Sequence, residues 1–180
     1  MTAALFTGVR DDGDAQVLAD ALADPGRAPS PGVIAAGYRA IAGRHLVNLP
    51  ARVRTLDGAM VDADHATVLD RPHLRFLGEP MVFGGVDEAA ALASTLDLPL
   101  ASEELEGRVE ARGTRFARGV HPAITAAQLL GELPDAPEVE LHGALIVRAA
   151  GVDRRVPYWV DDAGVLHVDE ALGEARGVRS

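Results

Sequence analysis

Six histidines, at positions 45, 65, 73, 121, 142 and 167, are the side chains in this sequence best suited to acid–base or metal chemistry. None falls in an H-x-H, H-x-x-x-H or H-E-x-x-H spacing, so no single helix or strand offers two imidazoles to one ion. The expectation is therefore no bound metal, convergence through the fold being the one remaining route. His65 lies among Asp62, Asp64 and Asp70, which reads either as a carboxylate–imidazole site or as a polar turn. Asp64 with His65, or His121 with a carboxylate, are the pairs from which a small hydrolase would be built. Asp11-Asp12-Gly13-Asp14 lacks the EF-hand spacing and its closing Glu, and reads as a helix cap. Asp161 and Asp162, just before Gly164, read as hairpin turn residues.

Nucleophiles are scarce. Serine occurs only at 30, 94, 102 and 180, never within G-x-S-x-G, and cysteine is absent. All seventeen cationic side chains are Arg, which excludes Schiff-base chemistry, a pyridoxal anchor and a P-loop Lys, because a guanidinium does not deprotonate to an amine. Neither G-x-G-x-x-G nor a Walker A loop is present, so no nucleotide and no other cofactor is expected. Arg108, Arg112, Arg115 and Arg118 form the one basic cluster. At helical spacing they would share a face and clamp a carboxylate or phosphate; interleaved with Glu103, Glu104, Glu106 and Glu110 they read equally as mutual neutralisation. Tyr158 and Trp159 are adjacent and so lie on opposite faces of a strand, one in the core and the other against a helix, a partner or solvent. These four Arg with Tyr158, Trp159 and His167 are the candidate ligand- or partner-binding residues, and no catalytic residue is assigned.

The elements that must position these groups change character at Pro50. Before it, Val17, Leu18, Ala21 and Leu22 predict a helix over 14–23, and Ser30-Pro31 opens a second whose apolar positions are Val33, Ile34, Tyr38 and Ile41. The short Pro/Gly connection makes them an antiparallel pair. After it, Val53 and Thr55, then Asp57-Gly58, then Met60 and Val61 predict a hairpin. Further strands are expected over 66–69, 81–83, 138–149 and 154–168, with helices over 87–96 and 122–133. The stretch 101–119 is ambiguous, since Gly107, Gly113 and Gly119 interrupt an alternating pattern. The fold class is α+β: an N-terminal helical pair over 1–49, then an α+β body over 50–180 with a mostly antiparallel sheet and helices on one face, in a single domain.

A chain of 180 residues can bury a substantial core without staples. Its formal charge of −10 disfavours nucleic acid and anionic membrane as partners. With no basic leader and no long apolar run, a cytoplasmic location is expected.

Three stretches carry a likeness. Residues 50–74, residues 96–103 (Leu-Asp-Leu-Pro-Leu-Ala-Ser-Glu) and residues 156–167 (Val-Pro-Tyr-Trp-Val-Asp-Asp-Ala-Gly-Val-Leu-His) resemble the C-terminal, non-ATPase region of actinobacterial sacsin N-terminal ATPase-like proteins, relatives of the heat-shock chaperone and gyrase class of ATPases. The resemblance spans most of the chain but touches no nucleotide motif: Asp11-Asp12-Gly13-Asp14 departs from D-x-G-x-G at its last position, and Asn48 stands alone before a Pro-containing loop. It implies a non-catalytic interaction or scaffold domain, with a protein partner or a parent ATPase domain. It carries over no functional residue. A small hydrolase or an anion-binding module remains the alternative on the residues alone.

Overall fold

In a computed structural model the described residues are 9–110, 112–117 and 119–171. They fold as α+β, with five α-helices, two 3-10 helices and eleven short strands among them. The strands form four small sheets rather than one, and two pairings, β3 with β4 and β7 with β11, are parallel. The chain divides into two compact units, Met1–Leu105 and Glu106–Ser180.

In the first unit, helices α1 (Asp12–Leu22) and α2 (Pro31–Ile41) pair with each other and pack on helix α3 (Ala89–Leu96), hairpin β1 (Arg52–Arg54) and β2 (Met60–Asp62), and strands β3 (Thr67–Val68) and β4 (Met81–Val82). Ala15, Ala19 and Leu22 on α1, and Ile34, Tyr38 and Ile41 on α2, supply the buried stripes, both at i, i+4, i+7 spacing. The buried face of α1 is thus rotated from the one expected, and Val17 points outward, 70% exposed. Asp11 does cap α1, accepting from the Asp14 N–H at 2.9 Å. The helical pair is not a separate layer, because its side chains share one core with Val53, Val68, Val82 and Leu92.

Arg54 ties that core's edges together. Its buried guanidinium donates to the carbonyls of Leu22 (3.1 Å), Gly58 (3.0 Å), Asp24 (2.8 Å) and Arg27 (2.9 Å), joining the end of α1, the helix connection and the hairpin turn. The Arg54 N–H donates to the Tyr38 hydroxyl at 2.9 Å, and burial pushes the Tyr38 phenol up to about 12.

The stretch left ambiguous in the sequence ends the first unit with a four-residue helix α4 (Ala101–Glu104) and opens the second with strands β5 (Arg108–Val109) and β6 (Thr114–Ala117). Ser102, which no capping box claims, donates its N–H at 3.1 Å and its hydroxyl to the Asp70 carboxylate.

The second unit has helix α5 (Pro122–Leu129) and strands β7 (Glu138–His142), β8 (Ile146–Ala149), β9 (Val152–Arg155), β10 (Tyr158–Val160) and β11 (Leu166–Asp169), five strands where three were expected after residue 137. Sheet order is β10-β11-β7-β6 in one sheet and β5-β8-β9 in the other. Tyr158 and Trp159 are both buried, so the hairpin's two faces are both covered. The Trp159 ring crosses directly over Gly107, where a Cβ would collide with it and with Val147. The tail after Asp169 reads from the sequence as helical at most, and its residues beyond Ala171 lie outside the described residues.

Candidate functional site

Two places in the fold gather groups capable of function, one in each unit. The first is the loop over 43–49. It is fixed on one side by α1, where Gln16 accepts from the Asn48 N–H (3.0 Å) and donates to the Asn48 carbonyl (3.1 Å), and where Asp12 accepts from the His45 N–H (3.2 Å). On its other side Thr95 of α3 accepts from the Gly43 N–H (2.9 Å) and donates to the Arg44 carbonyl (3.1 Å). The pinned loop and α3 enclose an open cleft of about 600 Å³, lined by residues that include Arg44, Val47, Leu49, Ala91, Thr95 and Asp97. Val47 is 79% and Leu49 51% exposed, and exposed Val17 is the chain neighbour of the pinning Gln16. These apolar side chains are held outward by a loop that is itself hydrogen-bonded on both flanks.

The second is a buried polar row across the four-stranded sheet. Register sets Trp159 opposite His167, His167 opposite Glu140 and Glu140 opposite Arg115, with Asp169 opposite His142 on the next rung. Because side chains alternate, Glu140, His142, His167 and Asp169 share one face. His142 Nε2 lies 2.9 Å from His167 Nδ1, and His167 Nε2 lies 3.2 Å from Asp161 Oδ2. The carboxylate acceptor assigns the His167 proton to Nε2, so Nδ1 accepts from His142 Nε2–H.

Glu140 Oε1 stands 3.7 Å from His142 Nε2 and accepts from the Gly113 N–H at 2.5 Å, while its Oε2 meets Arg115 at 3.3 Å. The Gly113 hydrogen bond, then Arg115, hold the Glu140 carboxyl below the usual carboxylate range. Burial, reinforced by His167, pushes His142 down, so it is neutral at pH 7. Burial raises the Asp161 carboxyl, but hydrogen bonds from Val165, His167 and Ala163 outweigh it and the net shift is downward. Asp169 is buried and grips Arg155 through both oxygens, at 2.7 and 2.9 Å, and the Leu145 N–H at 2.9 Å. Glu140, His142 and His167 are each 7% exposed or less, which denies a substrate access to them as they stand.

Of the residues singled out in the sequence, His167 alone enters this row's imidazole cluster, while Arg115 and Trp159 flank it in register. The Arg cluster is not assembled: Arg108 sits in the three-stranded sheet, Arg115 in the four-stranded sheet paired with Glu138 and Glu140, Arg112 is exposed between them, and Arg118 lies outside the described residues. The reason is local, since the segment is two strands rather than the helix on which that spacing converges. Tyr158 and Trp159 present no ring to solvent. Asp161 does serve the hairpin turn, accepting from Ala163 and Val165 N–H groups, and its second oxygen holds His167. His65 stays exposed, 3.1 Å from Asp64, while Asp62 pairs with Arg52 and Asp70 is committed to Ser102. His121 opens α5 and packs edge-on to Phe116, its ring centroid 6.2 Å away.

Sequence reasoning missed Glu140 and His142, whose only local signal is their i, i+2 spacing in an alternating strand. It missed the 43–49 loop because nothing in its residue types is unusual. No helix among the described residues is long and apolar enough to cross a membrane. Comparison with known proteins found no matching family model, curated protein or solved structure.

Proposed function

We propose that the chain is a non-catalytic interaction domain that docks a protein partner on the loop over 43–49. The observation that carries this reading is the pairing of rigidity with exposure there: Asn48 and Gly43 are pinned from both sides while Val47 and Leu49 face solvent. A loop already ordered before contact loses little conformational entropy on binding, so its apolar side chains contribute nearly their full burial. The cleft beside it suits an apolar side chain of the partner. Catalysis is disfavoured because the cluster with acid–base character is sealed inside the second unit. The class of partner comes from the sequence resemblance alone, which implies an ATPase of the chaperone class.

Affinity capture from cells of the source organism, comparing the natural chain with Leu49→Asp and Val47→Asp, tests the reading. Both positions are exposed, so melting should shift by no more than about 0.5 kcal/mol in stability. Proteins enriched by the natural chain should be lost from both variants. Equal enrichment by all three baits would refute the loop as the docking surface.

A further inference from the structure

The buried row in the second unit has the donor set of a metal site, and we infer that Glu140, His142 and His167 bind one divalent first-row transition ion, for which zinc is the probe. One donor atom from each of Glu140, His142 and His167 lies within 4.8 Å of those of the other two. Ligands at about 2.05 Å around a tetrahedral ion stand about 3.3 Å apart. The two measured separations, 2.9 Å between the imidazole nitrogens and 3.7 Å from nitrogen to carboxylate, bracket that value. Two imidazoles and a carboxylate suit zinc or a neighbouring transition metal rather than calcium or magnesium.

The surroundings prepare each donor. Asp161 accepts a hydrogen bond from His167 Nε2–H, which turns the Nδ1 lone pair toward the other two donors, as a carboxylate behind a metal-bound histidine does. Gly113 and Arg115 hold the Glu140 carboxylate in place, and a side chain at 113 would collide with the Leu141 carbonyl, so only Gly brings that N–H so close. In the ion-free arrangement one proton sits between His142 and His167, and His142 Nδ1 is buried with no hydrogen-bonding partner among the described residues. Binding moves the single His142 proton from Nε2, where it lies between the rings, to Nδ1, with no net proton released, and replaces one hydrogen bond with three bonds to the ion. Since Glu140 and His142 belong to β7 and His167 to β11, the ion cross-links the one parallel pairing in that sheet. Its role is a structural staple, independent of the docking loop.

The full chain, stripped with chelator and titrated with zinc chloride, should bind one equivalent and melt at a higher temperature. Long-range nitrogen–proton spectra of the histidine rings should show His142 Nε2 and His167 Nδ1 shifting, with the other four histidines unmoved; this readout needs no variant. Glu140→Gln and His167→Gln, checked for folding by circular dichroism, should weaken binding at least about 100-fold. Asp64→Asn, in the exposed Asp62, Asp64 and His65 group, should leave it unchanged. No saturable binding to the folded chain, or ring shifts confined to His65, would overturn the inference and leave the His142–His167 contact a buried hydrogen bond only.

Discussion

Arg54→Leu should destabilise the first unit by about 3–5 kcal/mol, a loss comparable to the whole stability of a small domain. The guanidinium is buried and faces four backbone carbonyls, so its contribution is geometric as much as electrostatic. One of those carbonyls belongs to Leu22, the last residue of α1, where the helix macrodipole favours a cation. Removing the fork leaves the end of α1, the helix connection and the hairpin turn without their shared donor. Arg54→Lys should recover only part of the loss, since an ammonium cannot reproduce a planar fork reaching four acceptors. Circular dichroism melting is the check, with a fall of more than about 12 °C expected for Arg54→Leu. A fall of a few degrees would mean that water replaces the guanidinium at those carbonyls.

Trp159→Ala is the second large effect, about 3–5 kcal/mol, because the ring is buried and rests on Gly107 where no side chain can move in to fill the space. Gly107→Ala should act on the same contact from the other side, displacing the ring. As Trp159 is the only tryptophan, its fluorescence reads both experiments: blue-shifted emission in the natural chain, a red shift in Gly107→Ala. If Trp159→Ala left melting unaltered while abolishing association with a partner, the ring would be a contact residue instead, as hot-spot truncations behave.

These two residues show what a single sequence discloses. Trp159 was legible as a core candidate because a large aromatic in an alternating strand gains most from burial. Arg54 was not, because nothing in its neighbourhood separates it from Arg52, which is exposed two positions away on the same short strand. The Asp57-Gly58 hairpin and the Pro31 start of α2 follow from turn and cap chemistry alone and stand where expected. The buried face of α1 does not: half of its apolar residues are Ala, and tertiary contact decided which of them turned inward. The His142–His167 contact depends on a parallel register between strands that lie 25 positions apart, and alternation within either strand is silent about register. The 43–49 loop is fixed by its N–H groups donating to Asp12, Gln16 and Thr95, which are ordinary surface-type residues until the fold brings them together.

Site-specific photo-crosslinking tests the docking account most directly. A photoreactive amino acid placed at Val47, in the full chain inside cells of the source organism, should on illumination yield a discrete adduct with one protein. The same probe at partly exposed Arg154, in the second unit, should not yield that adduct, and Leu49→Asp combined with the Val47 probe should remove it. An adduct from position 154 with none from position 47, or an adduct at 47 indifferent to Leu49→Asp, would contradict the account.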